Sequence, residues 1–199
     1  MMEPTALDPV WLGEYDLLLR PWEARDLDAV LRGISDPDFR RWNAVTVPAP
    51  DEEGAREFLE RRAAGWRMGD QASFAITTEE DGFRGVVGHV GLAMIDPMLR
   101  SARVAYWVLP EHRGRGYASR ALETVTRWAF RGELGLHRVE LGHVLPNRAS
   151  CRVAGHCAYA YEGTMRGALP GVDGRMWDVH LHARLATDPA PDLTATAAG

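Results

Sequence analysis

Residues 104–131 constrain the fold of this chain more than any other stretch. An apolar run at 104–109, with Val104, Tyr106, Trp107 and Val108, reads as a buried strand. Pro110 ends it, and a basic loop punctuated by Gly114 and Gly116 follows. Residues 119–131 then carry Leu122, Val125, Ala129 and Phe130 at helical intervals. A strand, a short glycine-rich loop and a helix N-terminus together make an anion site. The first helical turn has unpaired N–H groups and the positive end of the dipole, and glycine lets the backbone close on a phosphate. Arg113, Arg115 and Arg120 add mobile positive charge to the same place.

The type of phosphate loop is narrowed by what is missing. A Walker loop needs Gly-Lys-Ser/Thr, and the chain has no lysine. A dinucleotide fingerprint needs a third glycine where Ser119 stands. On the loop alone, a solvated basic turn between strand and helix remains an equal reading.

At 199 residues the chain is most simply one domain with a substantial core. A net charge of −5 argues against wholesale nucleic-acid binding, as does the lack of a basic aromatic stripe. Cys151 and Cys157 fall in one expected helix, separated by roughly 9 Å of rise, too far for a disulfide. Reduced thiols and no cleavable signal suggest a cytoplasmic protein. No apolar run approaches the ~20 residues a membrane span requires. Arginine-only basic usage with abundant Ala and Gly fits a GC-rich bacterial genome.

Along the chain, residues 1–15 read as a lead-in, 16–186 as one domain, and the Pro/Ala/Thr-rich 187–199 as a disordered tail. Strands are expected at 16–21, 73–78, 86–95, 101–109, 137–144, 161–167 and 175–185. Helices are expected at 26–34, at 51–68 with Asp51 as cap, at 119–131 and at 147–159. Residues 35–50 read as a polar, aromatic loop. A hairpin turn at 79–85 has Asp81 and Gly82 at its tip.

This order, together with Arg113-x-x-Gly116-x-Ala118, resembles the GNAT superfamily of acyl-CoA-dependent N-acetyltransferases over residues 17–185. Leu18-Leu19-Arg20-Pro21, the run from Ala105 to Glu111, and Asn147-x-x-Ser150 followed by Val153-Ala154 and Tyr161-Glu162-Gly163 narrow it to the RimJ/RimL-like branch. The resemblance implies an α+β fold, a mixed, mostly antiparallel twisted sheet with splayed central strands and flanking helices. It also implies acetyl transfer from acetyl-CoA to a primary amine, of a protein N-terminus or a small molecule, by direct attack in a ternary complex. A homodimer is compatible with it; nucleic acid, membrane and metal are not expected.

Under that resemblance Arg113, Gly114, Arg115, Gly116, Tyr117, Ala118 and Ser119 hold the cofactor's phosphates. Main-chain groups of Trp107, Val108 and Leu109 pair with the pantetheine arm and supply an oxyanion donor. The Trp107 side chain reads as core. Asn147 is a favoured helix cap and, by resemblance, a pantetheine ligand. Ser150 is the branch's proposed general acid, or else a helix residue; the tyrosine other relatives use is replaced by Ala154. His143, on the splayed strand, titrates in the range of a general base, but it also reads as a satisfied core histidine, and a water chain could serve instead. Phe39, Trp42 and Asn43, with residues 169–175, would roof the acceptor site, or pack the core.

Two departures stand out. Ala158-Tyr159 replaces the family's Gly-Phe, losing the residue that turns left-handed easily, and Gly155 lies inside a helix. His180 and His182 share a strand face, a conceivable metal pair, but with no third ligand at sensible spacing they read as an ordinary face. Cys151 reads as a small hydrophobe. The missing tyrosine, and the lack at 167–171 of a carboxylate that some relatives carry before the last strand, leave a non-catalytic acyl-CoA-binding module as the alternative.

Overall fold

The computed structural model describes residues 5–43, 47–80, 82–132 and 134–193. Among the described residues eight strands form one sheet: β1 Leu12–Glu14, β2 Leu17–Pro21, β3 Gln71–Glu80, β4 Phe83–Asp96, β5 Ser101–Val108, β6 Arg138–Val144, β7 Ala160–Pro170 and β8 Met176–Leu185. Their order across the sheet is β1-β2-β3-β4-β5-β6-β8-β7. Every neighbouring pair is antiparallel except β5 and β6, which run parallel. Five α-helices accompany the sheet: α1 Leu27–Ser35, α2 Pro37–Trp42, α3 Glu52–Met68, α4 Tyr117–Phe130 and α5 Arg148–His156.

Local chemistry sets the helix ends. Asp51 accepts the Gly54 N–H at 2.8 Å and caps α3, which closes on Gly69 in the left-handed region at φ 73°. Asp36 caps α2 by accepting from the Phe39 N–H at 2.9 Å, with Pro37 pre-set for the first turn. That helix lies inside the stretch expected to be loop, and β1 lies inside the expected lead-in. Six and three residues respectively are too few for a periodic signal. Asp81, at the expected hairpin tip, lies outside the described residues, as do residues 194–199 of the expected tail. Among the described residues no helix is long and apolar enough to cross a membrane.

Alternation along β5 divides the core. Trp107 and Leu109 bury with Val30, Ile34 and Phe58 of α1 and α3. Val104, Val90, Leu92 and Leu141 bury with Leu122, Val125 and Ala129 of α4. Beneath α4, Glu123 and Arg184 form an ion pair with both side chains almost wholly buried. Neither cysteine is in a disulfide.

The feature that creates a site is a parting of the sheet. β5 and β6 pair only at Ser101–Arg138, Ala102–Val139 and Arg103–Glu140. Beyond Arg103 and Glu140 the two strands diverge, while β5 stays paired to β4 as far as Val108 and β6 to β8 as far as Val144. Two half-sheets thus meet at a wedge, and on each lip alternate residues turn their main-chain N–H and C=O across it, Trp107 and Leu109 of the β5 run turning theirs to β4 instead.

Candidate active site

The glycine loop closes one end of this wedge. After β5 a single 3-10 turn, Pro110–His112, leads to Gly114 and Gly116, both left-handed at φ 79° and 75°. Gly116 is the N-cap of α4, and the first helical bond runs from the Arg120 N–H to its carbonyl at 3.0 Å. The N–H groups of Tyr117, Ala118 and Ser119 therefore precede the helical ladder and point out of the helix end. A Cβ placed on Gly114 or Gly116 would meet nothing within 4 Å, so the backbone there is open to a ligand.

Two of the three loop arginines are struts rather than mobile charges. Arg113 donates from Nε to the Val108 carbonyl at 3.1 Å and pairs with Asp36 and, at 3.2 Å, Asp38, tying the loop to α2. Arg120 binds Glu80 at 2.6 Å and the Tyr15 carbonyl at 2.9 Å, and stacks over the Tyr117 ring. Those contacts hold the Glu80 carboxyl below its usual range, the Arg120 hydrogen bond being the main cause. Tyr117 is buried and donates its hydroxyl to Glu80 at 3.1 Å, so it can offer a ligand only its main chain. Anion binding then falls to backbone amides and the helix dipole, with the arginines setting the positive potential around them.

Because β5 and β6 run parallel, α5, which follows β6, lies at the same open end of the wedge. Asn147 caps it, its side-chain oxygen accepting the Ser150 N–H at 3.2 Å, which leaves the amide NH₂ as its donor end. Ser150 Oγ lies 2.7 Å from the Tyr106 hydroxyl, which reaches over from β5. Tyr106 alternates with Trp107 and so faces α5 while Trp107 faces α1. Burial is the largest influence on the Tyr106 phenol and pushes its pKa up, so it remains a neutral O–H. Sequence reasoning passed over Tyr106, although its parity on the strand, opposite to that of Trp107, was the available signal.

The Trp107 side chain is core, as expected: its ring packs 5.9 Å from Trp22 and against Gly33, where any Cβ would come within 2.5 Å of it. Leu109 is also buried, and its N–H is spent on the Val87 carbonyl at 2.9 Å. His143 is buried on β6 with Nδ1 3.0 Å from the Val144 carbonyl. A carbonyl can only accept, so Nδ1 carries the proton and Nε2 the lone pair. Desolvation, chiefly, holds this ring below the usual histidine range and keeps it neutral.

On the acceptor side, Phe39 packs 6.0 Å from Trp107 and anchors α2. Trp42, half-buried, lies under the Arg41 guanidinium, and the exposed Asn43 donates to the Phe39 carbonyl at 2.9 Å. A separate concavity of about 930 Å³, lined by Leu18, Arg20, Asp26 and Glu80 among others, lies away from the wedge.

A family model described as an acetyltransferase (GNAT) domain matches residues 16–159. The chain is 28% identical over 174 residues to the uncharacterized N-acetyltransferase p20 of Bacillus licheniformis, covering 87% of this chain and 95% of that protein. It is 27% identical over 135 residues to the ribosomal-protein-serine acetyltransferase of Escherichia coli, covering 67% and 72% respectively. Mycobacterium smegmatis RimJ, solved in complex with CoA-disulfide, matches with a TM-score of 0.77 at 26% identity, covering 94% of this chain and 91% of that one. The parted sheet, the glycine loop at a helix N-terminus and these likenesses agree: the chain belongs to the GNAT family and is an N-acetyltransferase.

Proposed function

We propose that this chain transfers the acetyl group of acetyl-CoA to a primary amine by direct attack within a ternary complex. The observation that carries the reading is the Tyr106–Ser150 hydroxyl pair, which spans the wedge from β5 to α5, with the glycine loop at the same open end. The pyrophosphate would rest on the amides of residues 115–118. The pantetheine arm would lie along β5, pairing with the Val108 N–H and with the Asn147 amide; Trp107, whose main chain like that of Leu109 is turned to β4, would not take part.

The amine must first be neutral. His143 Nε2, bearing a buried lone pair, would accept the ammonium proton. The amine nitrogen then bonds to the thioester carbon, and the carbonyl oxygen becomes an oxyanion held by a backbone N–H of β5. Collapse re-forms the carbonyl and breaks the carbon–sulfur bond; the departing thiolate takes a proton from Ser150, and the nitrogen releases to solvent the extra proton it still carries after attack, solvent restoring the hydroxyl pair. When Tyr106 donates to Ser150 Oγ, the serine's own hydrogen is turned toward the sulfur, and the pair can pass a proton along in the same direction.

Trp42 and Asn43 at the end of α2, with residues 169–175, would border the acceptor, and Phe39 would hold that helix in place. The acceptor is a protein N-terminus or a small amine; likeness to the ribosomal-protein-serine acetyltransferase of E. coli favours the former. The experiment is to follow thiol release from acetyl-CoA with N-terminal peptides, polyamines and amino-sugars as acceptors, and to identify the product by mass. Amine-dependent thiol release with an N-acetylated product supports the reading. Tight acetyl-CoA binding with no amine-dependent release across that panel would leave a binding module in its place.

A further inference from the structure

Beyond the acetyl-transfer chemistry, we propose that His143, His180, His182 and Cys151 form a site for one divalent transition-metal ion of the zinc class. The sequence shows only the strand pair His180 and His182; the fold supplies the other two. In the β6–β8 ladder His143 stands directly opposite His180, and Leu141 opposite His182. Residues opposite one another in a ladder share a face, so all three rings point to the side that α5 covers. Cys151, in the first turn and a half of α5, comes down on them. One ligand atom from each of the four residues lies within 4.8 Å of the other three.

The hydrogen bonding around the cluster is that of a prepared site. His182, like His143, turns Nδ1 to a backbone carbonyl, that of Tyr159 at 3.3 Å. Both rings thereby carry their proton on Nδ1 and present an Nε2 lone pair. Metal-bound histidines are held in this way, with the second nitrogen donating to a carbonyl. Nε2 of His143, Nε2 of His182 and Nδ1 of His180 are all buried and without a hydrogen-bond partner. A buried polar atom left so is destabilising, and three in one place point to a missing common partner. His143 and His182 are each 5% exposed. Cys151 and His180 are half-buried, which leaves a way in from solvent.

The donor set decides the metal. Three imidazole nitrogens and one thiolate suit zinc, cobalt, nickel or copper and do not suit magnesium or calcium, which take oxygen. Bonds of ~2.0–2.3 Å put tetrahedral ligands roughly 3.3–3.8 Å apart, so the four side chains need to close by about 1 Å. The arrangement also bears on the chemistry proposed above. A bound ion would take the Nε2 lone pair assigned to the base and draw Cys151, the residue after Ser150, toward β6. The loaded protein would then be inactive, a consequence that rests on the proposed function, whereas metal binding does not.

The test uses the full chain, stripped with a chelator and dialysed, titrated with Co²⁺ as a spectroscopic probe and with Zn²⁺ in competition. Expected are one Co²⁺ per chain, tetrahedral visible bands and a sulfur-to-cobalt band in the near ultraviolet. Cys151→Ser should remove the sulfur band, and His180→Ala should weaken binding by at least about tenfold. Both residues are partly exposed, and circular dichroism confirms that each variant is folded. Absence of binding, or equal affinity in wild type and both variants, overturns the site. Separately, Zn²⁺ should inhibit acetyl transfer reversibly in wild type and not in Cys151→Ser. Stoichiometric zinc at this site with full activity would uphold the metal and remove His143 as the base.

Discussion

The Tyr106 hydroxyl sits 2.7 Å from Ser150 Oγ, joining a side chain from the first splayed strand to the helix after the second. This contact gives Ser150 the position and the hydrogen-bond partner a proton donor needs. Ser150→Ala should lower kcat by roughly 10²–10⁴-fold with little change in KM for acetyl-CoA, since the phosphate grip lies elsewhere. Tyr106→Phe, which keeps the ring and removes the hydroxyl, should lower kcat by a smaller factor, about tenfold, because the tyrosine orients and backs the donor without itself meeting the sulfur. Single-turnover measurements decide it: a normal chemical step in Ser150→Ala leaves the serine a structural residue.

Asn147 does two jobs with the two ends of its amide, and one substitution separates them. Asn147→Asp keeps a carboxylate oxygen to accept the Ser150 N–H, so the helix cap survives. It removes the NH₂ donor. Stability should change by less than about 0.5 kcal/mol, while KM for acetyl-CoA rises. Asn147→Ala should raise KM as well and also cost about 1 kcal/mol. Thermal melts run beside steady-state kinetics distinguish the two variants, and an unchanged KM in both removes Asn147 from the pantetheine.

Gly116 combines a φ of 75° with empty space beside its α-carbon. A β-branched residue such as valine could not hold that φ without strain, so it would confuse folding with binding. Asparagine tolerates the left-handed region. Gly116→Asn should remain folded and bind CoA about tenfold or more weakly, on the order of 1.4 kcal/mol, because its side chain enters the space meant for phosphate. Calorimetry with CoA reads this directly, and an undiminished affinity in the folded variant removes the loop assignment.

His89 should make stability fall in mild acid. Its Nδ1 accepts the Trp22 indole N–H at 3.1 Å, and the ring also hydrogen-bonds the Phe74 backbone. Complete burial, before the nearby positive charge of Arg62, pushes its pKa well down. Trp22, Phe58 and Trp107, which pack round it, are uncharged. Above pH ~6.5 the ring is neutral in both folded and unfolded chains and contributes no slope. Below that value the unfolded ring gains a proton that the folded one refuses, so stability declines as pH falls. His89→Gln keeps an acceptor for Trp22 and cannot titrate. Urea midpoints between pH 7 and 5 should show a shallower decline for the variant, and equal slopes would mean that His89 is protonated in the fold.

The end of α5 carries two misplaced residues. Ala158 holds φ 57°, the left-handed turn expected where the family has glycine, and Gly155 sits in the helix with nothing within 4 Å of a Cβ. Ala158→Gly should stabilise the fold by roughly 0.5–1 kcal/mol by relieving left-handed strain. Gly155→Ala should add a similar amount from helix propensity. Denaturant unfolding of the two variants and their double measures this; destabilisation by Gly155→Ala would show that the helix needs the glycine.

What could be read in the sequence follows range of interaction. The strand ending at Val108, the Gly114–Gly116 loop and the Asp51 cap are local effects of residue type, and each is present; the left-handed turn at Ala158 is held against its residue type. The two arginine struts are not local. Arg113 meets Asp36, 77 positions away, and no periodicity reports such a pair. The histidine cluster depends on the β6–β8 register and on the landing of α5, so spacing along β8 showed two ligands where the fold assembles four. Short elements such as α2 were hidden by their length, although Asp36-Pro37 is a start signal.

The wedge between β5 and β6 means that the protein is, by itself, an unfinished sheet. Five residues on one lip and four on the other hold backbone groups in the geometry of a strand pair with no strand between them. An amide-bearing arm of the right length is then less a guest in a pocket than the absent member of the ladder. Its arrival would couple β1–β5 to β6–β8 by main-chain pairing along the full height of the wedge, where three residue pairs of the ladder now do so at its foot. Substrate affinity and the mechanical unity of the sheet would be one quantity, and a change that stiffens either half-sheet would be felt at the other through the bound cofactor.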